Sequence, residues 1–135
     1  MSQDLAALVR RGFDAYNRGD VQESLETWAA DAVWDWSKSL GPEAGIYRGR
    51  DEIRAFWEQY LSAFNEIRFE LVEVVESGDD ELVVDNVAHL RGRDGIRVQA
   101  RSAWLVTARN GELATCKLYQ DKQEALEASR STKGS

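Results

Sequence analysis

The stretch DAVWDWS, residues 31–37, sets one carboxylate, Asp35, between two indoles, Trp34 and Trp36. A carboxyl group held among apolar rings loses the solvation of its charged form, so its pKa climbs toward the range useful for general acid or base work. Asp35 is therefore a first candidate for moving protons. His89, the only histidine in the chain, is the second, because imidazole titrates near neutrality. His89 and Asn86 share one strand, and either of them can be the one that faces inward. Arg101 is the third group of interest. An arginine on an otherwise apolar strand face needs an anionic partner, which is either a ligand carboxylate or phenolate or an acid at the rim.

Other chemistries find no residues to carry them. The single cysteine, Cys116, excludes an internal disulfide, and one Cys with one His cannot build a zinc cage. Cys116 sits among small apolar residues and reads as buried and inert. No Gly-rich phosphate loop, metal cluster or cofactor lysine motif is present, so neither metal nor cofactor is expected.

Three amphipathic helices and a run of strands must position these groups. Leu5, Leu8, Val9, Gly12, Phe13 and Tyr16 recur at helical spacing, and the stripe stops at Asn17-Arg18-Gly19, where glycine supplies a cap. Asp20 opens a short second helix with Glu23 at capping-box spacing. Ile53, Phe56, Trp57, Tyr60, Leu61 and Phe64 form the third stripe, with Asp51 as its expected N-cap. Tyr16 can line a cavity between helices and sheet, as can Tyr47, whereas Trp57 and Tyr60 read as core. From Ile67 the period changes to two, through RFELVEVVE, ELVVDNVAHLR, RVQARSAWLVTAR and ELATCKLYQ, with SGDD, GRDG and Asn110-Gly111 as turns. A short acidic helix, DKQEALEA, follows. Residues 1–128 read as a single domain and 129–135 as a disordered tail.

The Asn110-Gly111 turn sets the register of the last hairpin. If 110–111 is a two-residue loop, Arg109 pairs with Glu112, Leu105 with Cys116 and Ala103 with Leu118. One face then carries Arg101, Ala103, Leu105, Cys116, Leu118 and Gln120, small and apolar with polar ends, as suits a ligand pocket. The other carries Trp104 opposite Lys117, beside Tyr119, and suits an outer face or a dimer contact.

The net charge of −7 repels phosphate backbones and anionic lipid heads, which argues against nucleic acid and membrane partners. No apolar run reaches the length of a membrane span and the first residues lack a signal-peptide core, so a cytoplasmic protein is expected.

Three blocks, AYNRGDVQESLETWAADAVWD, GIYRGRDEIRAFWEQYL and AWLVTARNGELATCKLYQDKQEALEA, resemble the SnoaL-like group of the nuclear-transport-factor-two-like superfamily. The resemblance implies an α+β fold in which a cone-shaped, curved, mostly antiparallel sheet is wrapped by three N-terminal helices around a pocket. It also implies a homodimer through the outer sheet face, here through Trp104, Lys117 and Tyr119. Two known chemistries of that superfamily do not transfer. The acid and donor positions of the steroid isomerases fall on Gly12, Trp36 and Ala103, and those of the limonene-epoxide hydrolases on Asn86, Ala88 and Leu118. The same likeness places Trp36 toward the pocket and Asp35 away from it, unless a bulge flips the strand. Two function classes follow: a cofactor-independent isomerase, cyclase or dehydratase using His89 or Asp35, or a non-catalytic protein that binds a small hydrophobic ligand.

Overall fold

The computed structural model describes residues 5–39, 44–78 and 80–134, with side chains through 129. The order is α1 (Leu5–Arg18), α2 (Val21–Glu26), β1 (Trp28–Asp35), β2 (Ile46–Arg48), α3 (Gly49–Ala63), β3 (Phe64–Gly78), β4 (Glu81–Gly92), β5 (Arg97–Arg109), β6 (Glu112–Tyr119) and α4 (Lys122–Gly134). The strands form one curved, unclosed sheet in the order β2-β1-β6-β5-β4-β3, antiparallel except where β1 runs parallel to β6. The fold class is the expected α+β arrangement. Helices α1, α2 and α3 lie on the inner face, and α4 on the outer face against β4 and β5.

Local chemistry accounts for most element ends. α1 buries Leu5, Val9, Phe13 and Tyr16 as one stripe and stops at Gly19, whose φ of 71° is open to glycine at little cost. Asp20 caps α2 by accepting from the Glu23 amide at 3.1 Å. α3 differs from expectation: its cap is Arg48, not Asp51, and Gly49 (φ 81°) turns the chain out of β2 into the helix. The Glu52 carboxylate then accepts from the Arg48 amide at 2.8 Å, reaching back over the first turn. α4 continues through Gly134, past the boundary expected at residue 128. Ser129 is buried and its hydroxyl meets the Glu81 carboxylate, which ties down the turn of helix that the polar sequence had suggested was free. Asp79 of the SGDD turn lies outside the described residues.

The register of the β5–β6 hairpin decides what faces the pocket, and it corrects the uninterrupted count. Asn110 (φ 55°) and Gly111 (φ 80°) form the two-residue turn, and Arg109 pairs with Glu112 as anticipated. The ladder then shifts between Thr107–Thr115 and Ala108–Leu113, leaving Ala114 as an extra residue. Beyond that bulge Val106 pairs with Cys116 and Trp104 with Leu118. A one-residue slip turns every later side chain of one strand to the other face. Trp104 and Val106 therefore point into the main core, while Ala103, Leu105 and Tyr119 pack under Ala125 of α4 on the outer side.

Candidate functional site

Where α1–α3 stop short of the far ends of β4 and β5, the inner sheet face is left uncovered and a cavity of about 470 Å³ opens. Its volume lies within the roughly 300–1,000 Å³ typical of small-molecule sites. The walls are mostly rings and small apolar groups: Trp36, Tyr60, Phe64, Phe69, Trp104 and Leu118, with Ala88 and Ala100 as a flat sheet floor. Polar groups are few, namely Asn86, Ser102 and Gln120 with Ser39 and Gln99 near the mouth. Arg101 is the one charged residue among the described lining residues.

The aromatic wall is built by packing that the sequence spacing made possible. Trp34 and Trp36 point the same way from β1 and stack with planes 9° apart. Trp36 also meets Phe56 at 5.0 Å and Trp104 at 5.6 Å between ring centroids. Such contacts are worth about 0.5–1.5 kcal/mol each beyond area burial, so this wall is rigid rather than adaptable.

The residues singled out in the sequence divide between the two sheet faces. Trp36, Asn86, Leu118 and Gln120 line the cavity. Cys116 faces inward but is buried in the core below it, and burial pushes its thiol well above the ordinary value, so it is no nucleophile at neutral pH. Tyr16 is also core. It stacks on Trp57 at 4.6 Å, and its hydroxyl accepts from the Trp28 indole at 3.2 Å. Burial raises its phenol far above the usual range. Ala103 and Leu105, expected in the pocket, face α4 instead because of the Ala114 bulge.

Both proton-transfer candidates lie on the outer face. His89 alternates with the inward Ala88 and Leu90, and its Nε2 meets the Glu70 carboxylate at 2.8 Å. Of the pair left open by the sequence, Asn86 is the one at the cavity. Asp35 pairs with Lys117 across the β1–β6 ladder, with Nζ at 4.0 Å, and accepts from the Ser37 hydroxyl at 2.6 Å and the Ser37 amide at 3.1 Å. Burial alone would raise this carboxyl, but the Ser37 hydrogen bonds and the charges of Lys117 and Arg48 outweigh it and hold the group below its ordinary 3.8. The flanking indoles do not make Asp35 an acid catalyst; they turn to the core and leave it to the solvent side.

That geometry has a measurable sign. A carboxylate whose folded pKa is depressed stabilises the fold above its ordinary pKa and loses the contribution as pH falls through the folded value. Asp35→Asn should cost under about 1 kcal/mol near neutral pH, since the group is partly solvated. In urea denaturation the difference from the parent should shrink below about pH 4. A difference that grew in acid would mean that the carboxyl is buried and raised after all.

Arg101 does not reach into the cavity as a free cation. Its Nη2 lies 2.8 Å from Asp85 Oδ2 on the outer face, and the Asp85 side chain is 3% exposed against 60% for Arg101. The pair raises the guanidinium pKa further, so Arg101 stays charged and engaged. The expected dimer contact is also redrawn. Trp104 is inside, and the Tyr119 ring lies beneath Lys38 and Lys117, whose Nζ atoms stand 4.8 and 5.6 Å from its centroid.

Several lining residues escaped the sequence reading. Tyr60 and Phe64 continue the α3 stripe without a break in residue type, so nothing marks where core ends and cavity begins. Trp104 and Ser102 were hidden by the bulge. Among the described residues no group of three His, Cys, Asp or Glu side chains could hold a metal, and no helix is long and apolar enough to cross a membrane.

No curated protein sequence matches the chain. Solved structures of the same fold are numerous. An NTF2-like protein of unknown function from Burkholderia pseudomallei is 25% identical over 94% of this chain and 97% of its own, with a TM-score of 0.76. TerC, co-crystallised with polyporic acid, is 18% identical over 91% of this chain and 98% of its own, with a TM-score of 0.75. RV0760c from Mycobacterium tuberculosis, in complex with estradiol-17beta-hemisuccinate, is 17% identical over 90% of this chain and 97% of its own, with a TM-score of 0.76. Residues 9–115 match the family model of the SnoaL-like domain, and the chain belongs to that family.

Proposed function

We propose that the protein binds a small, uncharged, ring-containing hydrophobic molecule in the cavity between α3 and the far ends of β4–β6, and that it does so without catalysing proton transfer at Asp35 or His89. The observation that carries this reading is the wall itself: aromatic rings over an alanine floor, with amide and hydroxyl groups as the polar contacts and Arg101 already paired to Asp85. The outward placement of Asp35 and His89 favours binding over an isomerase, cyclase or dehydratase that would rely on them. RV0760c is in complex with estradiol-17beta-hemisuccinate and TerC is co-crystallised with polyporic acid, so this fold elsewhere holds small organic molecules. Those two are named as acids, and the absence of charge on the ligand rests on the cavity alone. Fold likeness alone is an analogy, so the cavity carries the argument. A homodimer through the outer sheet face would have to use the strip that α4 leaves open, around Glu70, Val72 and Arg101, and not Trp104.

Native mass spectrometry of freshly purified protein tests both statements. The expected spectrum contains a ligand-sized adduct that is lost on collisional activation. A bare protein that also takes up no added β-naphthol would overturn the binding reading. A monomeric mass across the concentration range would remove the dimer.

A further inference from the structure

We infer that the bound ligand presents a neutral hydroxyl to Asn86, and that Asn86 Oδ1 is the group that selects it. This deepens the binding reading above and rests on it. Asn86 is 1% exposed and forms part of the cavity wall. Its Nδ2 lies 3.1 Å from the Val84 carbonyl oxygen and 3.4 Å from that of Ser102. Both neighbours can only accept, so the nitrogen must be the atom that faces them, and the orientation of the amide follows from chemistry alone. Both amide hydrogens are then spent. Oδ1 is then the amide atom left to the cavity, with no hydrogen bond to it among the described residues.

Once a ligand seals that oxygen from water it needs a donor, and the neighbouring wall offers none. Ala88, Ala100 and Leu118 bring no polar hydrogen. Ser102, opposite Asn86 in the β4–β5 ladder, has a hydroxyl with no side-chain partner among the described residues. A ligand hydroxyl satisfies this set as a unit. Its hydrogen goes to Asn86 Oδ1, and its oxygen can accept from Ser102. A carboxylate would instead set its charge against the Asn86 oxygen, and the one cation among the described lining residues, Arg101, is held by Asp85. An ether or ketone would leave Oδ1 unpaired. The site is therefore matched to a phenol or alcohol on a flat apolar body, and against both the anion and the methylated analogue.

The test is an NMR titration of the full-length protein with β-naphthol, its methyl ether and β-naphthoate, following the five Trp indole signals and the Asn86 side-chain amide. β-Naphthol should bind roughly tenfold or more tightly than the ether, with β-naphthoate weaker still. The Asn86 amide should move with β-naphthol and stay with the ether. In Asn86→Leu the gap between naphthol and ether should collapse. Equal affinity for naphthol and ether in the parent protein overturns the inference while leaving the cavity a binding site, and so does a gap that persists in Asn86→Leu. The parent comparison stands even if Asn86→Leu fails to fold. Failure of all three compounds to bind overturns the binding reading as well.

Discussion

Trp104→Ala should lower the stability of the fold by about 3–5 kcal/mol, the range for truncating a fully buried indole. A domain of this size has about 5–15 kcal/mol in total, so the change is a large share of what holds it together. Trp104 is 2% exposed and lies at the junction of three layers. Its ring meets Phe13 of α1 at 5.2 Å, Trp36 just past β1 at 5.6 Å and Phe69 of β3 at 6.4 Å. Removing it would open a void shared by elements that cannot all move inward, so relaxation would recover little of the loss. Urea unfolding followed by circular dichroism measures the effect. The alternative is sharply different. If the hairpin paired without the Ala114 bulge, Trp104 would stand on the outer face, and its loss would cost under about 1 kcal/mol, mostly through a dimer contact. A small change accompanied by dissociation would therefore refute the observed register.

That contrast shows where the sequence was legible and where it was not. The Asn110-Gly111 turn reads directly because both residues tolerate positive φ, and the first pair, Arg109–Glu112, followed from it. The bulge three residues later leaves no such mark. Ala114 is neither Gly nor Pro, and its neighbours are all acceptable strand residues. Alternation could not reveal it either, since Ala103, Trp104, Leu105 and Val106 are buried on both faces, against the main core and beneath α4. Where both faces are covered, the period-two signal that distinguishes them vanishes. In β1 the signal survived. Val33 and Asp35 are half-buried while Trp34 and Trp36 are fully buried, so the assignment of the indoles to the interior held and Asp35 turned outward. β2 escaped notice because Ile46–Arg48 is only three residues long and exists through its pairing with Val33–Asp35. At the site, Asn86 and His89 could not be ranked from sequence, because which face of β4 is inner depends on its ladders to β3 and β5.

Ala88→Phe should weaken β-naphthol binding by roughly a hundredfold while changing stability by under about 1 kcal/mol. Ala88 faces inward from β4, paired with Phe69 of β3 and Ala100 of β5, and beyond its methyl group lies the cavity. A benzyl group there occupies space meant for the ligand. Displacing about three or four ligand carbons, at about 0.8 kcal/mol each, accounts for the predicted loss of affinity. The ring finds room and aromatic neighbours, and phenylalanine suits a strand, so the fold should tolerate it. Ala103→Phe is the contrasting case. Ala103 is as small as Ala88, but it is fully buried in the cluster with Ala125 of α4. Overpacking there should cost about 1–3 kcal/mol or more and leave β-naphthol affinity unchanged in the folded fraction. Unfolding curves and naphthol titrations on the two variants thus separate the faces of the sheet by function. If Ala103→Phe abolished binding and Ala88→Phe did not, the ligand would occupy the face that α4 covers, and the cavity beside Trp36 and Asn86 would not be the site.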